Sequence, residues 1–481
     1  MNLCIIHNGG VFMAIPIIGK FTKNKKKTLN IIIVGCGKVG TTLIKRLADE
    51  GHNVTFIDSN AAIVEKLSNT FDVMAIAGNG ATYSVQMEAG IEKADLFIAV
   101  TESDELNLLC CTIAKKSGDC SAIARVRNPV YSDEQPYLRE KLGLSMIINP
   151  ELEAAKEISR ILRLPVALST GSFAKGQAEM IRFKISEQNP LNGKQLFELQ
   201  QEFDFKFLIC AIERGETVII PNGDQRIQNG DTLTLVATAK NAYTFFKKTG
   251  LIKKKVSNAM LIGGGRTSYY LCRQLEEMGI TVKIIEIDPK RCDILSEMLD
   301  DDTLIINGDG TDEDLLQREG IENTDAFVPI TGIDEENILL TLYAKKVTNA
   351  KVITKVNRIN FKSVINSLEL GSVFYPSLLT AEIILTYARG MKNSIDSGNI
   401  ETLYHWFDDR VEAIEFKVLT ESEVTDKRLC DLKLKKDLLV ACISRKGKVI
   451  IPKGQDCIQK GDRVIIVTTH TGFENITDIL R

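Results

Sequence analysis

The chain has 481 residues, 44% of them apolar and 26% charged, with a formal net charge of −3. Such a composition supplies the cores of several ordinary domains and excludes bulk electrostatic attraction to nucleic acid or an anionic membrane. Eleven cysteines are scattered without a Cys-x-x-Cys, and four histidines at 7, 52, 405 and 470 show no zinc-ligand spacing. Free thiols in a reducing compartment are therefore expected, with no metal site.

Residues 1–28 hold a short apolar stretch, Val11 to Ile18, interrupted by Pro16 and followed by Lys23-Asn24-Lys25-Lys26-Lys27. It is too short for a membrane span, which needs roughly 20 apolar residues. Its charge also lies on the wrong side for a signal peptide, so it reads as an N-terminal extension. From 29 to 150 apolar runs alternate with helical periods. The expected elements are strand Ile31–Val34, helix Thr41–Glu50, strand Asn53–Ile57, helix Ala61–Ser68 and strand Val73–Ala77. Helix Ser84–Ala89, strand Leu96–Val100, helix Glu105–Lys116 and strand Ser121–Val126 follow. Strands separated by helices of this length build a parallel, doubly wound sheet. A connecting helix is expected over Pro150–Leu168, in a linking segment 151–176.

The texture changes over 177–250. Short strands at Ala178–Ile185, Phe207–Ile212, Thr217–Ile220 and Thr232–Ala237 are punctuated by Asn192-Gly193, Arg214-Gly215, Asn222-Gly223 and Asn229-Gly230. They suggest a small α+β domain. Lys253-Lys254-Lys255 marks a linker. The whole order then repeats as a second sheet domain over 257–376, a connecting helix (Pro376–Met391) and linker over 377–409, and a second small domain over 410–481.

The repeat is explicit at its motifs. Ile31–Val34 runs into Gly35-Cys36-Gly37-Lys38-Val39-Gly40, and Met260–Ile262 into Gly263-Gly264-Gly265-Arg266-Thr267-Ser268, roughly 230 residues later. Asp58 answers to Glu286, and Gly78-Asn79-Gly80 to Gly308-Asp309-Gly310. Asp104-Glu105-x-Asn107 answers to Asp334-Glu335-x-Asn337, and Pro221-x-Gly223 to Pro452-x-Gly454. A lone Gly-x-Gly-x-x-Gly is weak evidence, whereas two inside matching units indicate a duplicated nucleotide-binding module.

In each module the first glycine permits a tight turn and the second lets backbone approach a pyrophosphate. The third allows close helix packing, so that the helix N-terminus faces the phosphates. Asp58 and Glu286 then accept hydrogen bonds from the adenosine ribose, and the negative charge of Asp58 disfavours a 2′-phosphate. Thr101, Glu102 and Arg125 lie at later strand ends, where open α/β sheets bind ligands. Thr331, Gly332 and Lys355 are their counterparts. Ser268 in place of the third glycine, and Arg266 in place of Lys38, make the second module the less orthodox one.

Missing features weigh equally. A dehydrogenase needs an acid or base beside its nicotinamide, yet no Gly-x-Ser-x-Gly or His-Glu-x-x-His is present. His52 is expected in a loop at the sheet's far edge. The companion domains are also small. Sensing is therefore expected rather than turnover. An NAD-dependent oxidoreductase is the rival reading, and a redox sensor built on Cys36 a third.

The strand, Gly-x-Gly-x-x-Gly and acid, then Gly-Asn-Gly-Ala-Thr, Thr-Glu-Ser-Asp-Glu-Leu-Asn and Ala-Arg-Val-Arg, resemble the TrkA-N (RCK or KTN) domain. Residues 177–250 and 410–481 resemble the TrkA-C domain, so the order N–C–N–C resembles the TrkA family of bacterial Trk potassium-uptake systems. The resemblance implies two Rossmann-like domains, each followed by a TrkA-C domain. It implies NAD(H) binding, with ATP or ADP also recognised by some members, and no enzymatic activity. It further implies a cytoplasmic homo-oligomer, a dimer or tetramer forming a ring. That ring would attach peripherally to the inner face of the membrane through a membrane-embedded Trk/Ktr-type potassium transporter. The family's nucleotide contacts carry over to Gly35 through Val39, Asp58, Thr101, Glu102 and Arg125. In the second half they carry over to Gly263 through Thr267, Glu286, Thr331, Gly332 and Lys355.

Overall fold

A computed structural model describes residues 28–132, 134–252, 255–358, 362–392, 398–407 and 409–481. Residues 1–27 of the extension and the first two lysines of the 253–255 linker lie outside the described residues. The first sheet contains β1 (Asn30–Val34), β2 (Asn53–Asp58), β3 (Met74–Ala77), β4 (Leu96–Ala99), β5 (Ser121–Arg125) and β6 (Met146–Ile148). All its pairings are parallel, in the order β3-β2-β1-β4-β5-β6. The reversal of direction between β1 and β4 opens a crevice at their carboxyl ends, the topological switch point of a Rossmann fold. β1 reads Asn-Ile-Ile-Ile-Val because both faces of a central parallel strand are covered.

β7 (Ser169–Phe173), β8 (Ala178–Lys184), β9 (Leu208–Arg214), β10 (Thr217–Ile219) and β11 (Thr232–Ala237) form an antiparallel sheet ordered β10-β9-β11-β8-β7. The second parallel sheet has β12 (Asn258–Ile262), β13 (Thr281–Glu286), β14 (Leu304–Asn307), β15 (Ala326–Pro329), β16 (Lys351–Lys355) and β17 (Ser372–Phe374). Its order repeats the first as β14-β13-β12-β15-β16-β17. β18 (Gly398–Trp406), β19 (Val411–Val418), β20 (Leu438–Arg445), β21 (Lys448–Ile450) and β22 (Arg463–Thr468) complete the second small sheet, ordered β18-β19-β22-β20-β21.

Several element bounds differ from the sequence expectation. The first connecting helix spans Pro150–Arg163, ending before Leu168, and the segment assigned to the linker contains β7. Likewise β18 lies within 377–409, where a linker was expected. Helices Leu196–Glu202 and Ala239–Lys248 were not anticipated.

The connecting helices do more than join. Ala154, Ala155, Ile158, Ile161 and Leu162 of helix Pro150–Arg163 share a core with Leu261, Tyr270 and Leu271 of the second half. Reciprocally, Ala381, Ile384, Leu385 and Ala388 of helix Pro376–Lys392 bury against Leu43 and Leu47 of the first. Each parallel sheet thus has part of one helical layer supplied by the opposite half. The two small sheets also pack face to face, joining Phe173, Met180 and Val236 with Trp406, Val411 and Ile465. The halves are interleaved.

Candidate functional site: two facing nucleotide clefts

In the first crevice Gly35 adopts φ +93, a left-handed region that a side chain resists, and Gly263 adopts φ +101 in the second. A Cβ on Gly35 would press against the Thr101 backbone, 2.8 Å from its nitrogen, so this turn packs directly on the end of β4. Gly37 and Gly265 cap the following helices with extended backbone. A Cβ on either would meet nothing within 4 Å, so both edge open space at the helix N-terminus. Gly40 has a different reason from the expected helix-to-strand packing. Its Cβ would collide with the Gly35 carbonyl oxygen, within the turn itself. In the second half Ser268 occupies that place and donates its hydroxyl to the Gly263 carbonyl.

The acid at the end of the second strand holds the turn. Asp58 Oδ2 accepts the Cys36 N–H at 2.7 Å, and Oδ1 accepts Asn60 N–H at 2.8 Å. Glu286 repeats this, accepting from Gly264 N–H and, at 2.9 Å, from Asp288 N–H. Each carboxylate oxygen keeps a further lone pair for another donor. The Cys36 thiol is buried, and burial together with the Asp58 charge pushes its pKa well up. That is the reverse of what a reactive thiolate needs. His52 is also buried, its Nδ1 accepting from Leu29 N–H at 3.3 Å.

Thr101 lies on the turn, but its hydroxyl donates to Asn107 Oδ1 at 2.7 Å, leaving lone pairs alone for another partner. Asn107, fully buried, also donates to the Thr101 and Arg125 carbonyls at 3.2 and 2.9 Å. Asn337 does the same for Thr331 and Lys355, at 3.3 and 3.1 Å. Asp104 accepts the N–H groups of Arg127 and Asn128, and Asp334 those of Asn357 and Arg358. The repeated Asp-x-x-Asn therefore splices the ends of the fourth and fifth strands together. Its role was not read from the sequence, although its constant spacing in both halves was the available signal. Glu102 offers its carbonyl to Arg127, and a Cβ on Gly332 would meet open space.

Arg125 and Lys355 are largely buried, and burial lowers the pKa of both. Arg125 Nη2 reaches Glu151 Oε1 at 3.3 Å, yet Arg125 Nε and Glu151 Oε2 stay buried without hydrogen-bond partners. Glu151 begins helix Pro150–Arg163 and also acts electrostatically on Lys355. One carboxylate thus acts on two largely buried cations, one from each half. The clefts meet here. Tyr270 of the second half donates to the Arg127 carbonyl at 2.9 Å and accepts from Asn149 at 2.9 Å. Arg266 acts on the charges of Glu105 and Arg125, and Lys38 on that of Lys355. Each phosphate-turn cation therefore faces the opposite domain.

Comparison with known proteins agrees with this duplicated plan. The TrkA-N domain model matches residues 31–150 and 259–376, and the TrkA-C domain model matches 180–250 and 413–481. The chain belongs to the TrkA family. Trk system potassium uptake protein TrkA homolog 1 of Methanosarcina mazei is 32% identical over 446 residues, covering 91% of this chain and 97% of that protein. The TrkA of Haemophilus influenzae is 29% identical, covering 91% and 95%. Among solved structures, the GsuK RCK domain superposes with a TM-score of 0.61 at 16% identity, covering 94% of this chain and 95% of that one. The GsuK channel bound to NAD gives a TM-score of 0.61, also at 16% identity, covering 92% and 77%. At such identity these structures establish the RCK-type fold of this TrkA-family chain, with N and C domains in tandem duplication.

Proposed function

We propose that the chain is a nucleotide-sensing regulatory subunit that binds NAD(H), with ATP or ADP as further ligands, and gates a membrane potassium transporter of the Trk/Ktr type. The carrying observation is the pair of turn-and-acid clefts facing each other across shared charges. The names of its relatives and the NAD-bound RCK neighbour support the same reading. Gly35 through Gly40 with Asp58, and Gly263 through Thr267 with Glu286, hold the pyrophosphate and ribose. Arg125, whose Nε has no hydrogen-bond partner among the described residues, and Lys355 take phosphate charge, while Thr101, Glu102, Thr331 and Gly332 line the approach.

No helix among the described residues is long and apolar enough to cross a membrane. In this reading the chain acts from the cytoplasmic face as a ring-forming homo-oligomer docked on its transporter, without enzymatic turnover. Nucleotide alters the angle between the interleaved halves, which requires that it bind one geometry better than another. The test is NADH and ATP titration of the full chain, followed by potassium uptake in cells carrying transporter with intact or cleft-blocked subunit. Uptake indifferent to the blocked clefts overturns the gating role. NADH oxidation on addition of candidate substrates would return the oxidoreductase reading.

A further inference from the structure

The two clefts clasp their phosphate turns differently. In the first, the Cys36 carbonyl accepts from Thr41 Oγ1 at 2.9 Å, a donor inside the helix that follows the turn. The second half has Tyr269 at the matching position. There the corresponding carbonyl, that of Gly264, accepts from Arg291 Nε at 2.8 Å. The clasp has moved to the opposite side of the turn, where the second strand ends and the adenosine ribose of a Rossmann ligand lies.

Arg291 is partly buried in the first turn of helix Pro289–Met298. With Nε committed, its two terminal nitrogens bond nothing else among the described residues, and the glycine it clasps is the one whose N–H Glu286 holds. The matching residue of the first half is Ile63, which packs on the apolar core.

Charge at the two ribose ends differs accordingly. Between 58 and 64, Asp58 is the sole charged residue. Between 286 and 292, Glu286 and Asp288 are matched by Lys290 and Arg291. A dianionic 2′-phosphate placed by Asp58 meets repulsion alone. Placed by Glu286, it meets a guanidinium already oriented by one hydrogen bond, with two donors left for a charge-assisted fork.

We propose that Arg291 makes the second cleft accept adenosine nucleotides that carry a phosphate on the ribose 2′-oxygen, a class the first cleft turns away. The inference rests on the nucleotide reading above and concerns the chemistry of its second site.

Calorimetry on the full-length Gly37→Val chain, whose first cleft is blocked, tests it with ADP-ribose and 2′-phospho-ADP-ribose as probes. Both should bind, with affinities within about tenfold of each other. Adding Arg291→Ala should weaken the 2′-phosphorylated probe at least tenfold more than it weakens ADP-ribose, whose retained binding reports an intact fold. The reciprocal Gly265→Val chain should bind ADP-ribose alone. Exclusion of the 2′-phosphorylated probe from a cleft that binds ADP-ribose overturns the inference and leaves the nucleotide reading standing. Equal weakening of both probes by Arg291→Ala also overturns it, reducing the residue to a clasp on the turn. Failure of both probes to bind either cleft overturns the nucleotide reading, and the inference with it.

Discussion

Gly37 sits at φ −67 and ψ −164, backbone that any residue adopts, and a Cβ there meets no atom of the chain within 4 Å. Gly37→Val should therefore melt within about 2 °C of the parent, since neutral surface changes cost under roughly 0.5 kcal/mol. It should nevertheless abolish NAD binding at the first cleft by filling the pyrophosphate's approach. Calorimetry with unchanged affinity would count against the site assignment. Gly40→Ala is a poorer probe, because its methyl group strikes the Gly35 carbonyl and disturbs the turn itself. Asp58→Ala removes acceptors from the Cys36 and Asn60 amides as well as from the ribose proposed to bind there. A loss of about 1–3 kcal/mol in NAD affinity is expected from titration. These residues were legible because strand, turn and acid are close in sequence and obey one local geometry. Glu151, Arg127 and Tyr270 were not, since 143 residues separate Tyr270 from the carbonyl it bonds.

Helix Pro376–Lys392 carries the interleaving, and its charged anchor is Arg389. That guanidinium is 3% exposed and pairs with Glu50 of the first sheet domain at 2.6 Å and with Glu412 of the second small domain at 3.0 Å. Arg389→Ala removes the cation that Glu50 and Glu412 share, leaving Glu412 with His405 and the Gly472 N–H, and should cost about 3–5 kcal/mol in chemical denaturation. Glu382, seven residues earlier on the same helix, is half-buried where His405, Arg46 and Asp409 act on its charge, and its desolvation raises its pKa to about 7. A raised carboxylate pKa means that the folded state holds a proton the unfolded chain has released. Stability from this group is therefore greatest at low pH and falls as pH rises from the ordinary carboxylate range to about 7. The fall is on the order of 3 kcal/mol. Glu382→Gln should remove that slope and melt above the parent at pH 8, and parallel melting curves for the two proteins between pH 5 and 8 would refute it. The long strands and helices of the sheet domains follow their hydrophobic periods and were expected within a few residues. Strand Ser169–Phe173 was not, and the reason is tertiary. A Cβ on Gly171 would sit 3.0 Å from Trp406 and 3.3 Å from Tyr404, so rings from the other half require small residues where a strand pattern would show large ones.

At the scale of the whole molecule, corresponding helices of the two halves leave apolar residues uncovered. Leu109 on helix Asp104–Ser117 is half exposed, and Ile333, Leu339 and Leu342 crowd helix Asp334–Val347, with Leu339 66% exposed. A ring closed through such faces favours even symmetry, so sedimentation should show a dimer or tetramer. Leu339→Glu should shift it toward monomer without unfolding, and a strictly monomeric parent with nucleotide present would exclude the ring. The duplication also poses a division of labour. The first cleft has the third glycine and Arg125, whose planar fork suits a phosphate, while the second has Ser268, whose hydroxyl binds its own turn, and Lys355, a point charge. A defined dinucleotide pose is expected in the first and a weaker, more permissive site in the second. Since Gly37 and Gly265 both border open space, Gly37→Val and Gly265→Val form a matched pair of blocks. Gly37→Val should remove the tight component of NAD binding, and Gly265→Val should leave it within about threefold. Because Glu151 pairs with Arg125 of one cleft and its charge also acts on Lys355 of the other, Gly265→Val should still alter the nucleotide dependence of potassium uptake. Loss of the tight component in Gly265→Val, with Gly37→Val unaffected, would reverse the assignment of the two halves.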